Sequence, residues 1–298
     1  MIEDGTQINH VVIIASLGRP LVLGETLQGL ERQTRLPETI VLSVTSDADL
    51  PARSTLAPNV RVVQSERGLT VQRNAAFASL SSRPDFVTYL DDDIELRADY
   101  CSKVVGFMAS HPEVALMTGM VVADGIHLGE IDRERARRLL DTGTGREEVM
   151  PTRSAYGCNM TARGDVAARE PFDERMRLYA WQEDTDFSVR CARYGSVVHY
   201  KGALAVHMAV GAGRIRGTEF GFAQIVNPYY MWRKGTKTTR ELLRESSHHL
   251  MGNLWNFRKS DRPDRRGRLA GNFFGIREIV VHGGRPEAIE QLRRRPTR

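Results

Sequence analysis

Three consecutive aspartates, Asp91-Asp92-Asp93, directly follow the apolar run Phe86-Val87-Thr88-Tyr89-Leu90. Adjacent carboxylates repel one another unless a cation or a basic group offsets their charge. If the extended backbone continues past Leu90, Asp91 and Asp93 alternate to the same side and face one ligand. Hard carboxylate oxygens suit Mg2+ or Mn2+, ions that keep part of their shell for phosphate and water. A cation held there would neutralise a diphosphate as it departs, which is Lewis-acid chemistry. The same three residues also read as an acidic turn capping the helix that follows.

Three further groups fall where such a site needs them. Arg73-Asn74 lies on a predicted helix ahead of the aspartates, beside Gly68, where an arginine pairs with acidic groups or phosphate, or makes a plain surface salt bridge. Gly157-Cys158-Asn159-Met160 reads as a tight segment whose small residues admit a substrate closely, or as a plain turn. Trp181-Gln182-Glu183-Asp184-Thr185-Asp186 opens a helix, and its acids are also what a helix dipole favours at that end.

The surrounding pattern supplies elements to hold these groups. His10 to Ala15 is a short apolar run rich in β-branched side chains, as expected of a buried parallel strand. After the loop Ser16 to Pro20, Leu23, Leu27 and Leu30 recur at helical spacing. Thr39 to Thr45 and Val60 to Gln64 read as strands, Thr70 to Ser81 as a helix, and Phe86 to Leu90 as the next strand. Strands alternating with helices imply a parallel sheet covered on both faces, with ligands beyond the carboxyl ends of the strands. A helix over Asp99 to Ser110 and a strand over Val114 to Val122 follow. The polar, glycine-bearing stretch Ala123 to Thr152 reads as a long loop with a short helix around Asp132 to Leu140, the kind of segment that covers substrates. Beyond Gly221 the pattern is helical and aromatic, with Phe222, Tyr229, Tyr230, Trp232, Trp255 and Phe257.

Composition bounds the rest. At 298 residues, 41% hydrophobic and 27% charged, the chain has the make-up of a folded protein with a sizeable core. No apolar run approaches the ~20 residues of a membrane span, and Met1-Ile2-Glu3-Asp4 lacks the basic-then-apolar pattern of a secretory signal. The three cysteines, Cys101, Cys158 and Cys191, offer neither a disulfide framework nor zinc-site spacing, so a reduced, cytoplasmic setting is expected. Between Arg258 and Arg298, 12 Lys/Arg stand against 5 Asp/Glu, a net of +7, whereas the whole chain carries +5 and the remainder therefore −2. A basic tail favours anionic surfaces, lipid or nucleic acid, or is simply a solvated end.

The order of these pieces resembles the family 2 glycosyltransferases, inverting enzymes of the GT-A fold. The similar positions are Val11 to Arg19, Arg73-Asn74, Tyr89 to Asp93, Gly157 to Met160, Phe172-Asp173-Glu174 and Glu183 to Asp186, about residues 10–210 in all. Each motif is short; their order and spacing carry the likeness. The resemblance implies an α/β, GT-A architecture, a Rossmann-like mixed sheet flanked by helices. Residues 1–225 would form the nucleotide-sugar-binding and catalytic domain, and 226–298 a C-terminal helical, basic appendage. It implies that Asp91 contacts the donor nucleotide, that Asp93 ligates Mg2+ or Mn2+, that Asp92 assists either one, that His207 completes the metal shell, and that Asp184 is the catalytic base. Ser16 and Arg19 would surround the base and phosphates, with Arg73 and Asn159 also at the nucleotide sugar. Relatives usually carry an acid immediately after the second strand; here the run is Val41-Leu42-Ser43-Val44-Thr45-Ser46-Asp47, so either Asp47 fills the role in a shifted register or Ser43 or Thr45 makes a weaker contact.

The implied partners are a nucleotide-sugar donor, most simply a UDP-sugar, and a glycan or lipid-linked acceptor of bacterial polysaccharide synthesis. The basic C-terminal region would bring the chain to an anionic membrane surface at the inner face, or its helices would pack on the catalytic domain or build a homodimer. A metal-dependent nucleotidyltransferase is the nearest enzymatic alternative, but no glycine-rich, lysine-bearing phosphate loop follows the first strand. A nucleic-acid-binding protein is the alternative from another class. The basic charge sits mostly in the tail without a recognised binding motif, so no nucleic-acid partner is expected.

Overall fold

The computed structural model describes residues 8–211, 215–257 and 264–293. The chain divides into two compact units, one of Met1–Arg67, Gln72–Pro171 and Phe187–Gly213, the other of Gly68–Val71, Phe172–Asp186 and Arg214–Arg298.

The first unit is built on one mixed sheet. Its strands are β1 (His10–Ala15), β2 (Thr39–Val44), β3 (Val60–Gln64), β4 (Phe86–Asp91), β5 (Ile94–Leu96), β6 (Val114–Asp124), β7 (Val149–Pro151), β8 (Asn159–Arg163) and β9 (Ser196–His207). They run in the order β3-β2-β1-β4-β8-β6-β9-β5, with β7 beside β9. The helices are α1 (Pro20–Glu31), α2 (Leu69–Ala78), α3 (Tyr100–Ser110), α4 (Gly125–Leu128), α5 (Arg133–Thr142), α6 (Gly164–Arg169) and α7 (Glu183–Cys191), of which α2 and α7 contribute residues to both units.

The strand–helix alternation at the start of the chain yields the parallel set that it predicts: β1 pairs in parallel with both β2 and β4, and β2 with β3. The sheet does not stay parallel. β8 runs antiparallel between β4 and β6, in the direction already taken by β7. β6 and β9 are parallel to each other, and β5 is antiparallel to β9. Central strands carry apolar side chains on both faces, as a sheet covered on both sides requires: Val12, Ile13 and Ile14 of β1 are fully buried, as is Leu42 of β2. Leu23, Leu27 and Leu30, spaced for one helix face, bring α1 into the same core as Val104 and Met108 of α3.

The stretch 123–152 is more ordered than its polarity predicts. β6 continues to Asp124, α4 follows at once, α5 occupies Arg133–Thr142, and β7 adds an edge strand. Asp124 and Asp132 cap α4 and α5 through the backbone N–H groups of Ile126 and Arg135.

The second unit is helical: α8 (Gly217–Lys234), α9 (Thr239–Trp255), α10 (Arg265–His282) and α11 (Ile289–Arg293). α8 and α10 approach closely through glycines. A Cβ on Gly221 would lie 1.9 Å from the Arg268 carbonyl oxygen, and one on Gly271 would lie 2.1 Å from that of Thr218. Phe222, Ala223 and Val226 of α8 form a small core with Leu178, Ala288 and Ile289. Among the described residues, no helix is long and apolar enough to cross a membrane.

Candidate metal and nucleotide-sugar site

β4 ends at Asp91, and a two-residue turn carries the chain through Asp92 and Asp93 into β5. The three side chains part there, Asp92 toward Ser16 and Arg19, and Asp91 and Asp93 toward His207. Asp92 points inward and is wholly buried. It accepts a 2.5 Å hydrogen bond from Ser16 Oγ and one of 3.1 Å from Arg19 Nε, while Arg19 Nη2 bonds to its other oxygen. Its backbone carbonyl accepts from Thr26 Oγ1 at 2.7 Å. Burial pushes the Asp92 carboxyl up to about 7, against the opposing pull of Arg19. Ser16 and Arg19, from the loop after β1, are thus committed to the acidic turn. Arg19 also reaches Asp93 Oδ2 at 3.0 Å.

Asp91 and Asp93 turn the other way and meet His207 at the end of β9. One oxygen of each carboxylate and an imidazole nitrogen all lie within 4.8 Å of one another. His207 Nε2 is 3.5 Å from Asp93 Oδ1 and 3.9 Å from Asp91 Oδ2. The other ring nitrogen is held: His207 Nδ1–H donates to Asp124 Oδ1 at 3.0 Å, and Tyr156 Oη donates to Asp124 Oδ2 at 2.7 Å. Burial alone would lower the His207 value, but its bonds to Asp124 and Asp93 outweigh it and carry it up to about 10. Burial likewise works to raise Asp124, yet the bonds from His207, the Ile126 N–H and Tyr156 bring it down to about 2. Asp93 also stays below the ordinary carboxylate range despite burial, through His207, Arg19 and the Val210 N–H at 3.0 Å. Two hard carboxylates and one imidazole whose second nitrogen is fixed by a carboxylate form a donor set that fits a divalent cation, which would take the place of the proton on Nε2.

Arg73, on α2, is buried and donates to Asp91 Oδ1 at 3.2 Å and to the Gly157 carbonyl at 2.8 Å. It ties the acidic turn to the Gly157–Met160 segment. Asn159 is fully buried on β8 opposite Leu90, where its Oδ1 accepts from Thr118 Oγ1 at 2.7 Å and its Nδ2 finds no partner among the described residues. Asp47 lies apart from this group. It is exposed at the start of a 3-10 turn, ion-paired to Arg53 at 2.8 Å and bonded to Gln64. The buried acid of that turn is Asp49, which accepts from the Gly18 N–H at 2.7 Å and from Thr45 and Ser46. It joins the β1 and β2 loops.

Asp184 is described within the second unit. It is half-buried at the start of α7, and its Oδ1 accepts the Thr185 N–H at 2.7 Å. Asp186, by contrast, is buried and used up in the fold, bonded to Lys234 Nζ at 2.8 Å and Thr236 Oγ1 at 2.7 Å. The segment leading into α7 holds three non-glycine residues at positive φ, Leu178, Ala180 and Gln182. Strain of this kind recurs at functional loops.

Sequence reasoning missed Asp124, Tyr156 and Asp49. The spacing Ser46-x-x-Asp49 is a capping-box signal that was available for Asp49. Asp124 could have been found by extending the β6 pattern to its first acid.

A match to the sequence family described as Glycosyl transferase family group 2 spans residues 86–283. No curated protein sequence matches the chain. The crystal structure of GalNAc-T7 with UDP, GalNAc and Mn2+ is similar with a TM-score of 0.54 at 13% identity, over 83% of this chain and 55% of that one. The crystal structure of residues 1–349 of S. aureus TarS is similar with a TM-score of 0.50 at 14% identity, over 85% of this chain and 73% of that one. The chain therefore spans little more than half the length of the first of these, and at such identities the likeness speaks for the fold.

Proposed function

The chain belongs to glycosyl transferase family group 2 and has the GT-A fold, and from that premise we propose that it moves a sugar from a UDP-sugar to a hydroxyl of a glycan or lipid-linked acceptor in bacterial polysaccharide assembly, with inversion. The convergence of Asp91, Asp93 and His207 at the carboxyl end of β4 carries this reading. The presence of UDP with Mn2+ in the GalNAc-T7 structure supports the same ligand classes here.

Asp91, Asp93 and His207 would hold Mg2+ or Mn2+, and the ion, when bound, supplies positive charge against a departing diphosphate. Asp124 keeps the His207 ring turned so that Nε2 faces the carboxylates. Arg19 and Ser16 hold Asp92 down, fixing the turn whose two neighbours face the ligand. Arg73 offsets the charge of Asp91. Asp184 takes the proton from the acceptor hydroxyl while that oxygen attacks the anomeric carbon from the side opposite the diphosphate. One displacement leaves the product inverted. Asp47, on an exposed turn, and Asn159, buried on β8, would contact the nucleotide sugar only if the donor reached those positions. A lipid-linked acceptor would set the reaction at the inner membrane face.

A panel of nucleotide sugars tests the reading. Hydrolysis without acceptor is scored in Mn2+ and in EDTA. At least one UDP-sugar should be cleaved in the metal alone; equal turnover in EDTA, or none of any donor in Mn2+, contradicts it.

A further inference from the structure

In a water-soluble helix the large apolar side chains face inward and the polar ones outward. α9 and α10 invert this. The buried residues of α10 are Gly271, Asn272, Gly275 and Glu278, and the one buried residue described in α9 is Asn253. These inner positions are small or polar. Asn253 Nδ2 donates to Gln224 Oε1 at 3.0 Å and to Asn272 Oδ1 at 2.9 Å, and Asn272 Nδ2 donates to the Gly221 carbonyl at 2.8 Å. The glycine face lets α10 lie close on α8, which turns its large side chains away.

Those side chains meet solvent. On α10, Phe273 is 59% and Val280 79% exposed, at a spacing of seven residues that puts them on one face with Ile276 between them. On α9, Leu243 is 62% and Trp255 80% exposed, with Met251 and Leu254 also outward. Between the two stripes runs an apolar groove lined by Leu242, Leu250, Ile276 and Ile279. An exposed apolar surface of this kind marks an interaction site.

The charge around it selects the occupant. The four acids on these helices are engaged: Glu241 in the α9 capping box, Asp264 at the α10 N-terminus, Glu245 with Lys237, and Glu278 with Arg285. Arg240, Arg266 and Arg277 are exposed, and among the described residues none has a carboxylate at ion-pair distance. A second copy docked face to face would set these cations against their own kind. Anionic headgroups would neutralise them while the apolar stripes enter the boundary between headgroups and acyl chains.

We infer that the outward faces of α9 and α10 form a membrane-binding surface, with Phe273, Val280, Leu243 and Trp255 inserted at the interface and Arg240, Arg266 and Arg277 on anionic headgroups. The inference gives the membrane location proposed above a surface on this chain, and it stands independently of the transfer chemistry.

The test is sedimentation of the full chain with phosphatidylcholine vesicles, with and without phosphatidylglycerol. Binding is expected to the anionic vesicles and to fall with salt. Phe273→Asp with Val280→Asp should weaken it by at least about tenfold, with the thermal transition kept because both side chains are exposed. Trp255→Ser, at the helix end, gives an independent decrease should the double variant not fold. Each of Arg240→Gln, Arg266→Gln and Arg277→Gln should cost roughly fivefold. No binding to anionic vesicles, or binding untouched by folded variants, overturns the inference. So does a dimer in sedimentation equilibrium that the Phe273/Val280 variant splits while vesicles leave the wild type in solution. UDP-sugar hydrolysis measured without lipid reports the transferase reading separately.

Discussion

His207 Nδ1 lies 3.0 Å from Asp124 Oδ1, joining two residues 83 positions apart through the parallel pairing of β6 and β9. The contact fixes which ring nitrogen faces Asp91 and Asp93. Losing an outer carboxylate of this kind typically weakens metal binding by roughly 10–100-fold. Asp124→Ala should therefore lower Mn2+ affinity by about that factor in a calorimetric titration. The Tyr156→Phe variant, which keeps the carboxylate, should lose less. Unchanged affinity in Asp124→Ala would remove the orienting role.

Gly125, next in sequence, has no room for a side chain: a Cβ there would lie 2.3 Å from the Met208 carbonyl oxygen. Gly125→Ala should force the end of β9 to move, costing about 1–3 kcal/mol by denaturant titration and weakening Mn2+ binding together with stability. A variant as stable as the wild type would show that this strand end yields freely.

Asp184→Asn keeps the size of the side chain and removes the carboxylate proposed as the base. Positioned general-base catalysis is typically worth ~10²–10⁴-fold. The variant should bind the UDP-sugar normally and transfer it slower by about that factor. Near-normal turnover would reject the assignment.

His10 gives the pH dependence of stability. It is fully buried on β1, where Nε2 and Thr88 Oγ1 share a 2.8 Å hydrogen bond. Burial, helped by Arg35, brings its value down to about 3. The unfolded chain, with an ordinary imidazole near 6.5, binds the proton that the folded chain refuses. This contribution is therefore whole above about pH 6.5 and is lost as pH falls toward 3, at up to roughly 1.4 kcal/mol per pH unit. Between pH 6.5 and 5 the His10→Gln variant should lose less stability than the wild type, by about 2 kcal/mol in urea titrations. Parallel losses would mean that His10 titrates normally in the fold.

Local pattern made part of this legible. The run Phe86 to Leu90 followed by three aspartates fixes a strand and an acidic turn, and the alternation expected of a continuing strand already sets Asp92 apart from Asp91 and Asp93. The elements before Leu90 follow in the same way. The Asp124–Tyr156–His207 group does not, because it comes from strand pairing between distant segments. Nor does the antiparallel course of β8, which depends on its pairing with β4 and β6 across the sheet. Asp47 and Asp49 differ in burial because a three-residue 3-10 turn decides which of them faces inward. The outward apolar faces of α9 and α10 were hidden for another reason: an apolar stripe looks the same in sequence whether it is buried or exposed.

The central claim is that Asp91, Asp93 and His207 bind a divalent cation that couples the protein to its sugar nucleotide. Calorimetry of a UDP-sugar with and without Mn2+, on the wild type and on Asp93→Ala, tests it most directly. The wild type should bind the donor at least about tenfold more tightly with the metal, each tenfold being ~1.4 kcal/mol, and Asp93→Ala should show no metal-dependent gain. Donor affinity indifferent to Mn2+ in the wild type, or a gain that survives in Asp93→Ala, would contradict it.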